Sequence, residues 1–568
     1  MSGDGRAFLK RVALAYGLIV LLMLGVNAGA IAAWRFPDPD DALRLVQVRD
    51  WMGGQGWYDL HQYRIDPASG GVMMHWSRLV DVPLAAVMLV LRPVLGAAGA
   101  EHAAMLIVPL LTLAMVLMLV ARVAWERLGP EAATLSALVL AMSVPVMTQI
   151  RPLRIDHHGW QVAAAMLAVQ GVMTRHARIG GWVSGGALAV GLSISLEGLP
   201  LTVVFGGLGL WRWLRGGEVR LWLVHFARAL AVVSAVCFVA TRLGDGAQHC
   251  DAVAPVHLAV LAWVALGVNG LAPARRRGAQ VVGLVVVVGG ALALYLGMAP
   301  QCRAGSFDML DPLVRRMWYE GVPEGLPVWQ QDAASALQIM IPPLAGLGAC
   351  IALIRRTTGD EQVWWQEYML LLAGALAVAM LVARAGAVAG ALAAVPLAWG
   401  LGCALAVPRG RLMAMAGVVA VLMPSAPITA WGMMGHDTAP FLAQRVSDCR
   451  VRQAAAIFDR LPQGTILAPL DIGPELLVAT RDSVMATGHH RGARAIHDAL
   501  LALISPPDQA RALIRAHHVR YIALCPDLAQ AQGYDAGLAS LLIAGHAPVW
   551  LERVQGATGE GLQVWQVH

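Results

Sequence analysis

Three short stretches of a largely apolar chain hold the residues best suited to acid–base and metal chemistry. Pro37-Asp38-Pro39-Asp40-Asp41-Ala42-Leu43-Arg44 offers a cluster of carboxylates, and Arg151-Pro152-Leu153-Arg154-Ile155-Asp156-His157-His158 offers one carboxylate followed by two imidazoles. A third stretch carries Asp308, Asp311, Glu320 and Glu324. Such side chains are ligands for a divalent metal, Mg²⁺ or Mn²⁺, with His158 tilting the choice toward a borderline ion. A cation held there would neutralise a phosphate leaving group as a Lewis acid. A carboxylate of the first stretch would take a proton from an incoming nucleophile. Each stretch also has a plainer reading. Asp and Pro after an apolar helix make an ordinary cap and turn, Arg154 with Asp156 makes an interfacial ion pair, and Glu324 lies between Pro323 and Pro327 on a loop. A common side of the membrane is what lifts all three above accident.

The elements that must position these residues are membrane helices. Of 568 residues, 58% are hydrophobic and 14% charged, against roughly 25% charged in soluble proteins. Apolar runs of roughly 17–23 residues recur, the length that crosses about 30 Å of hydrocarbon. The expected fold class is a polytopic α-helical membrane protein with a small C-terminal α/β domain. The first run, 11–33, follows Arg6, Lys10 and Arg11 and reads as an uncleaved helix with a cytoplasmic N-terminus. Residues 83–99, interrupted by Arg92 and Pro93, are assigned to the external loop as a re-entrant or surface helix. Later spans are expected at 104–124, 131–148, 159–174, 180–196, 198–214, 221–241, 256–272, 279–298, 335–354, 364–383, 386–406 and 411–430, about thirteen in all.

With that count, the short cytoplasmic loops carry Arg122 and Arg127; Arg175 and Arg178; Arg212, Arg215 and Arg220; Arg275, Arg276 and Arg277; Arg355 and Arg356; and Arg409 and Arg411. This is the positive-inside pattern. The net charge of +6 therefore reports orientation, and no nucleic-acid partner is expected. Counting 83–99 as a span would move every cluster outside.

The opposite side receives external loop one (34–103), the Arg151 to Gly159 loop, loop five (299–334) and the tail. The chain thus divides into a transmembrane domain, 1–434, and an external α/β domain, 435–568. In the tail, strands are expected at Thr465 to Leu470, Ser483 to Thr487 and Arg520 to Cys525, with helices at 448–461, 493–504 and 508–517. Of seven cysteines, Cys237, Cys350 and Cys403 lie in apolar runs. If the outer side is oxidising, Cys250 can pair with Cys302 and Cys449 with Cys525. Residues 56–82 gather Trp57, Arg64, His75, Trp76 and Arg78. They read either as interfacial anchors or as donor contacts, with Arg78 or Arg64 on a phosphate and Trp57 or Trp76 stacked on a sugar. His489 and His490 are either acceptor contacts or ordinary surface. Glu197 belongs to the site or caps a helix.

On these residues the chain resembles the GT-C membrane glycosyltransferases, in particular the catalytic subunit of oligosaccharyltransferase. That family carries an Asp-Pro stretch with a following Arg, an Asp-x-His or Asp-x-Glu motif and a loop-five Ser-Val-Ser-Glu-x-x-Pro motif. Here Asp38-Pro39 with Arg44, Asp156-His157-His158, and Gly321-Val322-Pro323-Glu324-Gly325-Leu326-Pro327 stand in the same order. The resemblance implies that Asp38, or equally Asp40 or Asp41, is the catalytic carboxylate. It also implies that Asp156, His158 and Glu324 bind the metal. Arg384, ahead of Pro396, is the nearest counterpart of a family Arg that binds the lipid phosphate. The family's Trp-Trp-Asp-Tyr-Gly motif aligns with Pro469-Leu470-Asp471-Ile472-Gly473, keeping Asp and Gly without the aromatics. The implied activity is transfer of a sugar or oligosaccharide from a polyprenyl-(pyro)phosphate donor, on the outer face of a bacterial-type plasma membrane. The implied acceptor, a glycan, a lipid or a protein, is other than an Asn-x-Ser/Thr peptide. The competing reading is a transporter or flippase for a lipid-linked or anionic precursor, a class marked by internal repeats and mid-membrane charge; the sequence shows neither.

Overall fold

Long uncharged apolar runs leave the backbone no partner but itself, and they fold as helices throughout. The computed structural model describes residues 3–303, 305, 307, 310–406, 411–434, 449–527, 534–554 and 561–568. Asp308 and Arg409 lie outside the described residues. Two compact units emerge: Met1–Arg35, Ser77–Ser306 and Pro323–Ala443 form one, and Phe36–Trp76, Phe307–Val322 and Gln444–His568 form the other.

The first unit is helical. Among the described residues, seven helices are long and apolar enough to cross a membrane, or nine if each of two bent pairs is one span. The other expected spans are occupied by His158–Met173, Ala177–Ile194, Leu199–Arg215 and Pro255–Leu271, helices of 16 to 18 residues. The expected thirteen segments are therefore all helical, while seven to nine have the length and hydropathy of a full crossing. Two expected spans are broken. Pro130–Met142 and Val144–Ile150 meet at 77°, where Ser143 is extended ahead of Pro145. Leu412–Leu422 and Ala426–Met433 meet at 92° across Pro424. In each, proline lacks the N–H that a continuous helix needs. Residues 83–99 are helical, and they lead directly into the next span: Arg78–Leu128 is one element kinked at Gly96, whose φ of +70° suits glycine.

Small residues let the helices of this unit approach closely. A Cβ on Gly180, Gly181 or Gly185 would collide with the carbonyls of Gly171, Trp222 and Phe226 respectively, so Ala177–Ile194 packs backbone to backbone against its neighbours. One buried ion pair closes an end of this bundle: Arg212 donates to both Glu367 oxygens, at 3.0 and 2.6 Å, and to the Val172 carbonyl. Cys250 and Cys302 are joined by a disulfide, as expected from the sequence.

The second unit is mixed. A small ribbon pairs β1 (His61–Gln62) with β2 (Val72–Met73). A five-stranded sheet has the order β4-β3-β5-β7-β6, built from β3 (Thr465–Leu467), β4 (Ser483–Val484), β5 (Val519–Leu524), β6 (Leu551–Arg553) and β7 (Gln563–Val567). β4, β3 and β5 run parallel, and β7 and β6 add antiparallel. The three expected strands are present, β3 and β4 shorter than expected and β5 of the expected length but one residue earlier, and β6 and β7 extend the sheet beyond them. Helices Ala493–Ile504 and Pro507–Ala516 bury Leu500, Leu503 and Ile514 with Leu467, Ile522 and Leu524. The expected helix over 448–461 is a single α turn, Val451–Ala454, followed by a 3-10 turn. A second disulfide, also as expected, joins Cys449 to Cys525.

Candidate functional site

The Asp156 motif lies in the turn between Val144–Ile150 and His158–Met173. Leu153 takes a left-handed conformation, φ +70°, and its N–H donates to the Met105 carbonyl at 3.0 Å, anchoring the turn. Asp156, His157 and His158 are all buried. Glu324 arrives from a 3-10 turn, Pro323–Gly325, held by Gln331 Nε2, which donates to the Pro323 and Leu326 carbonyls. Arg384 enters from the turn Ala383–Ala385, and the Ala383 N–H donates to the Leu326 carbonyl.

These segments converge on one charged centre. Asp156 Oδ1 lies 2.6 Å from His157 Nδ1, and Asp156 Oδ2 lies 3.2 Å from His158 Nε2. His158 Nε2 is in turn 3.6 Å from Glu324 Oε1. Arg154 lies 3.7 Å from the other Glu324 oxygen. Arg384 pairs with Glu197 at 2.9 Å and reaches Glu324 Oε1 at 3.8 Å. Glu197, whose role the sequence left open, thus joins the cluster, 3.9 Å from His157 Nε2. Burial pushes the Asp156 carboxyl up, but His157, His158 and Arg154 outweigh it and hold Asp156 well below the usual carboxylate range. Burial likewise opposes charge on His157, yet Asp156 and Glu197 raise it to about 9. Glu324 is held low by Arg384, His158 and Arg154 against its burial.

Asp156, His157 and His158 each offer one ligand atom within 4.8 Å of the others, and Glu324 adds a carboxylate beside His158, a donor set of the kind that holds a divalent cation. Neighbouring ligand atoms around a small octahedral ion lie roughly 3 Å apart, close to the 3.2 and 3.6 Å that separate His158 Nε2 from Asp156 and Glu324. One imidazole with two carboxylates suits Mn²⁺ or a similar borderline ion better than Mg²⁺. His157, bonded through Nδ1 to Asp156, has the place of an orienting partner.

The other sequence-derived candidates are distributed differently. Asp38, Asp40 and Asp41 belong to the mixed unit. Asp38 is the N-cap of Pro39–Met52, accepting from the Asp40 N–H at 2.9 Å; Asp40 is half-buried and Asp41 fully buried. Arg64 was a candidate phosphate ligand, but its guanidinium donates to the Leu477, Thr480 and Asp482 carbonyls. Arg78, the other such candidate, is fully buried against Asp81 at 3.3 Å. Both guanidiniums are engaged by protein groups in this way because burial demands partners for them. Trp76, which with Trp57 reads as an interfacial anchor or a sugar contact, is buried with the Arg44 guanidinium over its ring at 4.5 Å. Trp57 is half-buried and meets Trp51 edge-on. His75 packs with His489 and His490. Of the three arginines, Arg384 alone is placed at the Asp156 centre by an ion pair among the described residues.

No protein-family model matches the sequence, and no curated protein matches it. Solved structures do. The oligosaccharyltransferase of Archaeoglobus fulgidus tethered to an acceptor peptide with an NVT sequon is similar at a TM-score of 0.66 and 11% identity, over 98% of this chain and 74% of that one. The same organism's oligosaccharyltransferase AglB, with an inhibitory peptide and a dolichol-phosphate, is similar at 0.62 and 12% identity over 93% and 70%. The mycobacterial arabinofuranosyltransferase AftD is similar at 0.49 and 14% identity over 98% and 40%. At such identities it is the fold that is shared: this multi-pass membrane chain has the GT-C glycosyltransferase fold of the archaeal oligosaccharyltransferase.

Proposed function

We propose that the chain is a membrane glycosyltransferase that moves a sugar or oligosaccharide from a polyprenyl-phosphate or polyprenyl-pyrophosphate donor to an acceptor at the outer face of a plasma membrane. The observation that carries this reading is the convergence of Asp156, His158 and Glu324, from loops far apart in sequence, with Arg154 and Arg384 beside them. A cluster of carboxylates, imidazole and guanidinium suits a leaving group whose charge grows as its bond breaks. Solved relatives of the same fold were obtained with dolichol-phosphate, with acceptor peptide, and with Zn and sulfate, in keeping with a lipid phosphate and a metal.

Asp156, His158 and Glu324 would hold the divalent ion, Mg²⁺ or Mn²⁺, which supplies Lewis-acid neutralisation of the leaving phosphate. Arg384 contributes a fixed cation for the same phosphate. A carboxylate of Asp38, Asp40 or Asp41 takes the acceptor proton as the acceptor attacks the anomeric carbon. The sugar–phosphate bond breaks with its electron pair on the phosphate, and this single displacement inverts the anomeric centre. The N-terminus is cytoplasmic and the tail external. The acceptor is a glycan, a lipid or a protein site other than the Asn-x-Ser/Thr sequon, since Asp471 and Gly473 lack aromatic companions in the aligned motif.

The test has two arms. In the native organism, deletion should remove one sugar species from envelope glycans, lipids or glycoproteins, read by mass spectrometry. Plasmid-borne Asp156→Asn and Glu324→Gln, present in the membrane at wild-type levels, should each restore that species at least roughly 100-fold less well than wild type. Full restoration by both variants would sink the metal-centre mechanism.

A further inference from the structure

A second cluster of metal-ligating side chains stands in the mixed unit. His75 follows β2, and His489 and His490 open the 3-10 turn His490–Gly492 after β4. His75 Nδ1 lies 2.9 Å from His489 Nε2. The three rings each offer one nitrogen, and these nitrogens all lie within 4.8 Å of one another. His489 is buried, while His75 and His490 are half-buried. The rings of His489 and His490 stack at 18°, and Trp76 and Phe307 close on them edge-on, at 5.5 Å from His489 and 5.1 Å from His490. The backbone supports the same approach, since Arg491 Nη1 donates to the Met74 carbonyl.

We propose that His75, His489 and His490 form a zinc-class metal site, separate from the Asp156 centre, that clips the first external loop to the C-terminal domain. Three neutral imidazoles with no carboxylate in the set discriminate against Mg²⁺ and Ca²⁺ and favour Zn²⁺ and its neighbours Co²⁺, Ni²⁺ and Cu²⁺. Nitrogens on a tetrahedral ion with bonds of about 2.05 Å lie roughly 3.3 Å apart. The existing set therefore needs the His75–His489 pair to open by a few tenths of an ångström, with the His490 nitrogen already within 4.8 Å of both. Aromatic walls around a His₃ set lower the local dielectric and limit exchange. The half-exposure of His75 and His490 leaves a fourth position for water. The ligands come from points more than 400 residues apart in the chain, so the ion would add a metal link to a long closure that the bonds of Arg64, Arg491 and His517 already hold.

The test uses the full chain in detergent, purified without an affinity tag of histidines and stripped with chelator. Zn²⁺ is then titrated by calorimetry, and Co²⁺ is titrated by its visible absorption. Wild type and an Asp156→Asn/His158→Gln variant should both bind one Zn²⁺ at this site, with the absorption of tetrahedral Co²⁺ and a rise in Tm. His489→Gln and His490→Gln should each weaken that event by roughly 100-fold and lose the Co²⁺ absorption and the Tm rise. Because the partly exposed His490 can be replaced with little disturbance of the core, a folded His490→Gln variant guards against loss of binding through unfolding. Equal Zn²⁺ binding by wild type and both histidine variants overturns the proposal. So does an absence of Zn²⁺ binding by the Asp156→Asn/His158→Gln variant, in which case the short His75–His489 contact is a shared proton only. None of these readouts involves sugar transfer, so the clip stands or falls independently of the proposed activity.

Discussion

Asp156 is a carboxylate enclosed by protein and kept ionised by two imidazoles and a guanidinium. Arg384 has a different standing, since it bridges Glu197 and Glu324. Replacing it by Gln should raise KM for the lipid donor and lower kcat, for a combined loss of roughly 10–100-fold, the worth of one charge-assisted contact. Lys at 384 should recover only part of that, lacking the planar fork. Steady-state kinetics with a lipid-linked donor measure both, and unchanged kinetics in Arg384→Gln would remove this residue from the donor site. Asp156, His158 and Glu324 were legible because a motif order spans their loops. Glu197 was only half legible: a lone acid ahead of Pro200 looks the same whether it caps a helix or faces Arg384. The surroundings of Arg64 and Trp76 were not legible, for a physical reason. Their partners, the carbonyls of 477–482 for one and a guanidinium under burial for the other, are fixed by tertiary packing and leave no local pattern.

Between elements, the mixed unit is stitched by an alternating row of acids and imidazoles. His517 lies 3.0 Å from Asp66 through Nδ1 and 3.0 Å from Asp498 through Nε2, while His497 Nδ1 lies 3.0 Å from the other Asp498 oxygen. Burial pushes the Asp498 carboxyl up, but His497 and His517 hold it below its ordinary value. A depressed acid stabilises the fold above its unfolded pKa, about 3.9, and that contribution is lost as pH falls through the folded value. Asp498→Asn should therefore speed hydrogen exchange of Ala493–Ile504 and Pro507–Ala516 at pH 7 by several-fold, and it should flatten their loss of protection below about pH 4. Identical profiles for variant and wild type would assign the row no stabilising part. The Cys449–Cys525 link closes a loop of 76 residues, for which chain-entropy reasoning gives about 4.5 kcal/mol. Paired replacement by Ser should lower the Tm of the mixed unit by several degrees, measured by calorimetry. Helices and both disulfides were readable from runs and loop sidedness. The bends at Ser143 and Pro424 had their signal in the adjacent prolines, whereas β6 and β7 are short and pair with strands set elsewhere in the chain, so no periodicity announced them.

For the whole molecule, the proposed orientation, argued from the arginine clusters, can be checked directly. Alkaline phosphatase fused after Arg277 should be inactive and the same enzyme fused after His568 active, since it folds only outside; the reverse pattern would invert the orientation and move the proposed site inside. The mixed unit is assembled from Phe36–Trp76, Phe307–Val322 and Gln444–His568, with Arg49 bonded to the Val478 carbonyl and Arg64 to its neighbours. That feature has a temporal side. The ribosome releases the first of these segments several hundred residues before the last, and at about 5–20 residues per second the segment waits on the order of half a minute for its partners. During that interval Leu43, Val46 and Trp76, all buried in the finished protein, lack the neighbours that bury them. The order of synthesis itself therefore leaves apolar surface of the first segment open until the last segment is made.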